Sequence, residues 1–425
     1  MKLKRLGLIA LSLVLSLTLL VGCGSDDSTS GDGGSSDGDV TLTFGLWDKY
    51  QEPVLREIAD KYEEENEGVK IDIQLTPFSD YFTKLEAAAT GDVLPDIFWM
   101  NGPNIVKYAA NDMLLPIDDK IEEDNVDLDE FPEGLIDLYT VEDSLYGIPK
   151  DWDLTALWYN KEIFDDNDLD YPTGDWTWDD MVEAARTITD KDEGIYGIAA
   201  RPDTQEGIYE SIPQAGGYII SDDRAKSGYD TKEAIEGVQP WIDLLDEELS
   251  PTLEEQADTN ALERFKAGKL GMVYASSYNV PVFMENEEIR DKIDLVEMPL
   301  IKERGATIHG LSTVISANTD HEKEAWDFVK YLSTKEANEE WAKSGVVIPA
   351  REDVLDIWEE TYPDLNLHAF VKGLDYSIMY PVSEDTAKWN DLEEDYIKKM
   401  WNGDLTVEEG LEKLGEEMDQ FLEAE

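Results

Sequence analysis

The chain has 425 residues, of which 97 are acidic and 35 basic, for a net charge of −62. A surface of that sign repels phosphate backbones, which argues against a nucleic-acid partner. One cysteine, Cys23, and three scattered histidines (His309, His321, His368) leave no disulfide framework and no cysteine or histidine metal cluster, and no cofactor is implied.

At this length two domains are the natural expectation, with ample chain for a core that needs no staples. The acidic residues are spread along the sequence, so they read as a solvated shell rather than a tail. Self-repulsion on this scale opposes a compact state unless salt screens it. We therefore expect a protein suited to saline or alkaline surroundings.

Lys2, Lys4 and Arg5 precede an uncharged apolar run from Leu6 to Val21. That order reads as a secretory signal rather than a spanning helix. The run ends in Leu20-Val21-Gly22-Cys23, which resembles the bacterial lipobox. The resemblance implies that residues 1–22 are removed and that Cys23 carries the lipid (an acyl chain such as palmitate). Residues 23–39 are almost all Gly, Ser, Asp and Thr after the cysteine, a composition expected of a flexible tether. The expected location is the outer face of the cell membrane. No later stretch is long and apolar enough to span a bilayer.

Val40, Leu42, Phe44 and Leu46 alternate with smaller or polar residues, which predicts a strand ending at Trp47-Asp48-Lys49. Val54, Leu55, Ile58 and Tyr62 share a helical face. Val69, Ile71, Ile73 and Leu75 predict a second strand. After a break at Thr76–Asp80, a helix runs to Ala89. Pro95-Asp-Ile-Phe-Trp-Met-Asn101 is a short, mostly apolar run, as expected for a strand buried on both faces. This β-α-β-α-β order predicts an α/β protein with a mainly parallel sheet. Ligands of such sheets sit beyond the carboxyl ends of the strands. Trp47, Asp48, Lys49, Trp99 and Asn101 would gather on that rim.

The segment Tyr146–Asn160 is the centre of the reading. Its proline-fixed entry leads to Asp151-Trp152-Asp153 and then an apolar run containing Trp158 and Tyr159. In a strand Asp151 and Asp153 share a face. Two acceptors beside a flat ring suit a polyhydroxylated ligand, and they also suit an acid/base pair. Further on, helices are predicted over Asp179–Thr187 with Thr177 or Asp179 as N-cap, over Thr231–Glu248, over Asn260–Gly268 and over Thr406–Ala424. Strands are predicted at Gly194–Ala200, Leu270–Ala275, Ile293–Met298 and Leu311–Ser316. A loop or broken helix over Thr204–Gly217 carries Gln205, Tyr209 and Gln214. No phosphate-binding glycine motif and no nucleophile elbow occurs.

Several segments, in order, resemble the extracellular solute-binding proteins of bacterial ABC importers, in the sugar-binding class that includes maltose-binding protein. They are Pro95-Asp-Ile-Phe-Trp, Met113-Leu-Leu-Pro-Ile-Asp118, Tyr146-Gly-Ile-Pro with Ala156-Leu-Trp-Tyr-Asn-Lys161, Phe265-Lys-Ala-Gly-Lys-Leu-Gly-Met272, Gly310-Leu-Ser with Ala325-Trp-Asp-Phe-Val, and Ile348-Pro-Ala-Arg351. Asp112 stands where the class has Gly, and Gly271 where it has Ala. The resemblance implies two α/β lobes of the periplasmic-binding-protein type, joined by crossings near Asp151–Leu154, Ile308–Leu311 and Gly345–Ala350. One lobe would hold residues 40–150 plus 309–346, the other 151–308 plus 347–425.

The implied cleft residues are Trp47, Asp48, Lys49, Trp99, Asn101, Asp151, Trp152, Asp153, Tyr278, His309 and Tyr380. Tyr278 falls where the class carries a stacking Trp, and Tyr380 corresponds loosely to another aromatic platform. The implied function is capture of a carbohydrate, an oligosaccharide by class, and delivery to membrane permease subunits by a monomeric protein that is not an enzyme. Two alternatives stay open: the same fold taking a polyamine, peptide or metal chelate, or a secreted glycosidase using Asp151 and Asp153. The latter needs carboxyls about 5–5.5 Å apart for retention or about 6.5–9.5 Å for inversion, flanking one bond.

Overall fold

The computed structural model describes residues 39–425. The expected signal segment, Cys23 and the expected tether up to residue 38 lie outside the described residues. Thirteen strands follow in chain order: β1 (Val40–Leu46), β2 (Val69–Leu75), β3 (Ile97–Asn101), β4 (Thr140–Val141), β5 (Ser144–Leu145), β6 (Gly147–Asp153), β7 (Thr155–Asn160), β8 (Tyr196–Ile198), β9 (Leu270–Ser276), β10 (Ile293–Val296), β11 (Ala306–Ile315), β12 (Ile348–Pro349) and β13 (Ser377–Met379).

Eleven of the strands form two sheets, one per lobe. The larger runs β12-β6-β11-β3-β1-β2, with β13 added beside β11. β1 pairs in parallel with β2 and β3, as the β-α-β-α-β order predicts. β11 runs antiparallel to both β3 and β6. The smaller sheet runs β10-β7-β9-β8. Boundary residues 151–153 and 348–349 are strand members of the larger sheet.

Sequence pattern explains the layers. In β1 the alternating Leu42, Phe44 and Leu46 are fully buried, and every residue of β3 is buried. The helix Glu52–Glu65 carries Pro53 in its first turn, where the fixed φ is tolerated. It buries Leu55, Ile58, Ala59 and Tyr62. Tyr62 meets Phe328 of the helix Glu322–Leu332 at 4.9 Å, and Phe328 meets Phe44 at 6.1 Å. The helix Trp178–Ile188 is opened by a capping box between Thr177 and Asp180. The helices Thr386–Trp401 and Val407–Leu422 pack on each other, and Gly410 lets Met400 approach where a Cβ would stand 2.5 Å from its sulfur.

Two of the chain crossings lie side by side in the middle of the molecule, and a further one leads from β12 in the larger sheet to Asn366, which bonds Leu295 of the smaller sheet. β6 leaves the larger sheet at Asp153, and after Leu154 alone the chain is already in β7 of the smaller sheet. The Leu154 carbonyl accepts from the Ser277 N–H at 3.1 Å. β11 returns beside it, and Gly310 lies so close to β6 that a Cβ would sit 2.5 Å from the Asp151 carbonyl oxygen. The start of β11 is tied to the helix Tyr209–Gln214: Thr307 Oγ1 donates to the Tyr209 carbonyl at 2.7 Å, and the Thr307 N–H donates to Glu210 at 2.9 Å.

The strands differ from the sequence reading in three places, and the helices Gly102–Ala110, Lys335–Ser344 and Thr386–Trp401 have no counterpart in it. β11 starts at Ala306 rather than Leu311, because residues 306–308 pair with β13 and His309–Gly310 pair with β6. β8 is only three residues long. The β4–β5 hairpin has no counterpart in the sequence reading. Its turn uses Glu142 and Asp143 at φ 49° and 67°, a conformation usually announced by Asn-Gly or Asp-Gly.

Candidate ligand-binding site

A cavity of about 420 Å³ lies where the crossing strands meet the two lobes. Nine of the eleven residues named from sequence line it: Trp47, Asp48, Asn101, Asp151, Trp152, Asp153, Tyr278, His309 and Tyr380. Lys49 and Trp99 do not. Lys49 is exposed at the lip, its amine 4.7 Å above the Tyr50 ring. Trp99 is 1% exposed and supports the wall from behind, edge-on to Trp47 at 5.4 Å. A strand end marks a rim without fixing which way each side chain points, and both misplacements come from that.

The carboxylate wall is built on β6. Asp151 accepts from the Leu311 N–H at 3.0 Å and pairs with the Lys150 ammonium. Lys150 is buried behind this wall, 4.1 Å above the Trp99 ring and 5.2 Å from Trp341, and it donates to Gln51 Oε1 at 2.7 Å. Burial pushes the Asp151 carboxyl up and the Lys150 amine down, and each opposes the other's shift through its charge. Asp153 accepts from Gln205 Nε2 at 2.8 Å and faces His309 Nδ1 at 3.2 Å. Asp48 accepts from the Tyr50 N–H at 2.7 Å and from Gln51 Nε2 at 3.1 Å. Asn101 accepts from Asn104 at 2.8 Å.

The aromatic walls face these groups. Trp47 packs with Phe78 at 5.5 Å and Tyr81 at 4.8 Å, and Phe78 is 57% exposed. Tyr278 is 42% exposed, while its hydroxyl is held by buried Glu206 at 3.0 Å. Glu206 also receives the Ser276 N–H at 2.6 Å, Asn279 Nδ2 at 3.3 Å and the Arg201 guanidinium. Tyr380 stands edge-on to His309 at 4.8 Å and to Tyr209 at 5.3 Å. Tyr209 donates at 2.6 Å to Glu393, a fully buried carboxyl that burial pushes up to about 7. At the lip, Tyr50 donates to Glu285 at 2.9 Å, joining the turn after β1 to the segment beyond β9.

Of the aromatic residues Trp152, Trp158 and Tyr159 in the 146–160 segment, Trp158 and Tyr159 are core: Trp158 is fully buried and donates to the Ala275 carbonyl at 3.1 Å. Trp152 touches the cavity, yet its side chain is 1% exposed. Further lining residues stand outside the eleven: Gln51 and Phe78, and also Gln205 and Leu311, which the sequence placed only in the 204–217 loop and at a crossing. Gln51 directly precedes the helix Glu52–Glu65 and follows Asp48 by one helical turn, a signal that was present. Gln205 sits in the π-helical turn Thr204–Ile208, a feature that often marks functional sites but has no sequence signature of its own.

Chemically the site offers planar acceptors and amides between aromatic faces. Its two β6 carboxylates rise from one strand on one wall, rather than flanking a bond from two sides. A cavity of this kind, enclosed by two α/β lobes at their crossing strands, defines a binding protein of the periplasmic type. Residues 57–367 match the family of bacterial extracellular solute-binding proteins, and the chain belongs to that family. An arabinooligosaccharide-binding protein from Halalkalibacterium halodurans is 27% identical over 347 residues, covering 78% of this chain and 76% of the relative. An ABC substrate-binding protein from Listeria monocytogenes, solved in complex with cycloalternan, superposes with a TM-score of 0.84 at 24% identity, covering 90% of this chain and 98% of that one. The GacH receptor of Streptomyces glaucescens, solved unliganded and with acarbose, superposes with a TM-score of 0.81 at 19% identity, covering 90% and 98%. Among the described residues no helix is long and apolar enough to cross a membrane.

Proposed function

We propose that this protein captures a carbohydrate, an oligosaccharide by class, in the cavity at the crossing strands and presents it to the permease of an ABC importer. The observation that carries the reading is the pairing of aromatic faces (Trp47, Phe78, Tyr278, Tyr380) with hydrogen-bonding side chains (Asp48, Asn101, Asp151, Asp153, Gln205) in one cavity. A sugar ring has an apolar face for the first set and hydroxyls for the second. The volume lies in the usual range of ligand pockets. All eleven residues named from sequence stay in the proposal, with Lys49 moved to the lip and Trp99 to the support behind the wall.

The lobes divide at Leu154 and near the start of β11, and close about these crossings on binding. The protein binds without turnover, works as a monomer and is held to the outer membrane face by a lipid on Cys23. Arabino-, xylo- and malto-oligosaccharides should raise the melting temperature and give saturable calorimetric titrations, with no product after prolonged incubation. Stabilisation by polyamines or peptides and by none of the sugars would refute the carbohydrate reading. Release of shorter sugars would refute the absence of turnover. Mass spectrometry of the mature protein should find acyl mass on Cys23 and lose it in Cys23→Ala.

A further inference from the structure

The cavity wall carries carboxylates and no fixed cation. Asp48, Asp151 and Asp153 face it, and no Lys or Arg is among its lining residues. Asp151 alone has a lysine partner, and that lysine is sealed behind the wall by Trp99 and Trp341. Asp153 is met by a glutamine amide and by His309, and Asp48 by a backbone N–H and a glutamine amide. Arg201 is taken up by Glu206, which holds the Tyr278 hydroxyl, and by Asp203. The wider field has the same sign, with a net charge of −62. Low-dielectric clefts focus such fields. An anionic group brought here would lose its hydration with no lining Lys or Arg to replace it, since Lys49 stands outside at the lip over the Tyr50 ring.

We propose that the site selects its ligand by charge: it accepts uncharged sugars and refuses those bearing a carboxylate, phosphate or sulfate, and Asp48 and Asp153 are the residues that set the refusal. The proposal rests on the carbohydrate reading above and names the class of sugar within it. The wall still supplies acceptors to hydroxyls, so discrimination against anions costs nothing in the recognition of neutral sugars.

The test uses isosteric pairs on the mature full-length protein. Arabinotriose, xylotriose and maltotriose are each oxidised at the reducing end to the aldonate, and each aldonate is converted to its aldonamide, so the two members differ in charge and hardly in shape. For whichever parent sugar binds, the aldonate should bind at least tenfold more weakly than the aldonamide in 50 mM NaCl. The gap should narrow in 1 M NaCl, because salt screens the repulsion, and in an Asp48→Asn/Asp153→Asn variant whose circular dichroism is native. An aldonate bound within threefold of its amide would overturn the proposal. So would a gap indifferent to both salt and the double substitution, which marks a steric origin. If no parent sugar binds, the carbohydrate reading itself fails and this inference falls with it. Binding of the parent sugars and the aldonate alike leaves the carbohydrate reading standing and refutes only the charge selection.

Discussion

Replacing Glu210 by Gln should make the protein more stable at alkaline pH and leave its stability at acid pH nearly unchanged. Glu210 is fully buried; one carboxyl oxygen accepts from the Thr307 N–H at 2.9 Å, and the other has no protein partner. Burial pushes this carboxyl from the ordinary 4.5 up to about 8. The folded protein therefore keeps a proton that the unfolded chain gives up. Its stabilising contribution is complete below pH 4.5, falls as pH rises, and is gone above about 8. At 1.36 kcal/mol per pH unit that interval amounts to about 5 kcal/mol as an upper bound. Gln cannot titrate and keeps an oxygen for Thr307. The variant's advantage over the parent should thus be near zero at pH 4.5, grow through pH 6 and 7, and level off near pH 8.5 at several kcal/mol. Urea denaturation at these pH values measures it. Parallel pH profiles for the two proteins would refute the reasoning, because they would mean that Glu210 titrates alike in the folded and unfolded states.

Gly310→Ala should destabilise the protein by about 1–3 kcal/mol by denaturant unfolding, because its Cβ would stand 2.5 Å from the Asp151 carbonyl oxygen; full stability would mean that β6 and β11 can part at no cost. Trp152→Ala should cost about 3–5 kcal/mol of stability, since the ring is 1% exposed, and should weaken sugar binding too, since the residue lines the cavity; native stability by denaturant unfolding would refute the packing role. Glu206→Gln and Tyr278→Phe should each weaken binding of an arabino-, xylo- or malto-trisaccharide, with the double variant little worse than either single one, as expected for one linked unit; additive losses would separate them. Raising NaCl from 0.05 to 1 M should raise the melting temperature through screening of the acidic shell, and equal melting at both concentrations would remove the inferred adaptation to saline surroundings.

The parts of the fold that were legible in the sequence are those where burial leaves a local period. β1 and β2 alternate, β3 is apolar until its last residue, and the helix Val407–Leu422 repeats Leu411, Leu414 and Met418 on its buried face. The site was legible where strand ends and the Asp151-Trp152-Asp153 sequence carried chemistry. It was not legible where a partner comes from far along the chain. Gln205 reaches Asp153 across 52 residues, and Lys150 reaches Gln51 across 99. No local pattern encodes such pairings. The hairpin at Glu142–Asp143 stayed hidden for a different reason: both turn residues are left-handed without a glycine, and the strands on either side are only two residues long.

The one-residue passage at Leu154 has a mechanical meaning. A slack linker would let the lobes drift apart, but here the peptide on either side of Leu154 is already committed to strand pairing, and its carbonyl is held by Ser277. Beside it β11 is clamped at one end by Tyr209 and Glu210 and at the other by β3. Two such tethers, side by side and of fixed length, behave as a torsion bar. In the proposed closure, rotation of one lobe against the other would twist β6 and β11, beside the further passage from β12 to Asn366, which is bonded to Leu295 of the smaller sheet. An inserted residue in either strand would shift its side chains to the opposite face beyond that point, so the length of both crossings is as much a determinant of the cavity as the residues that line it.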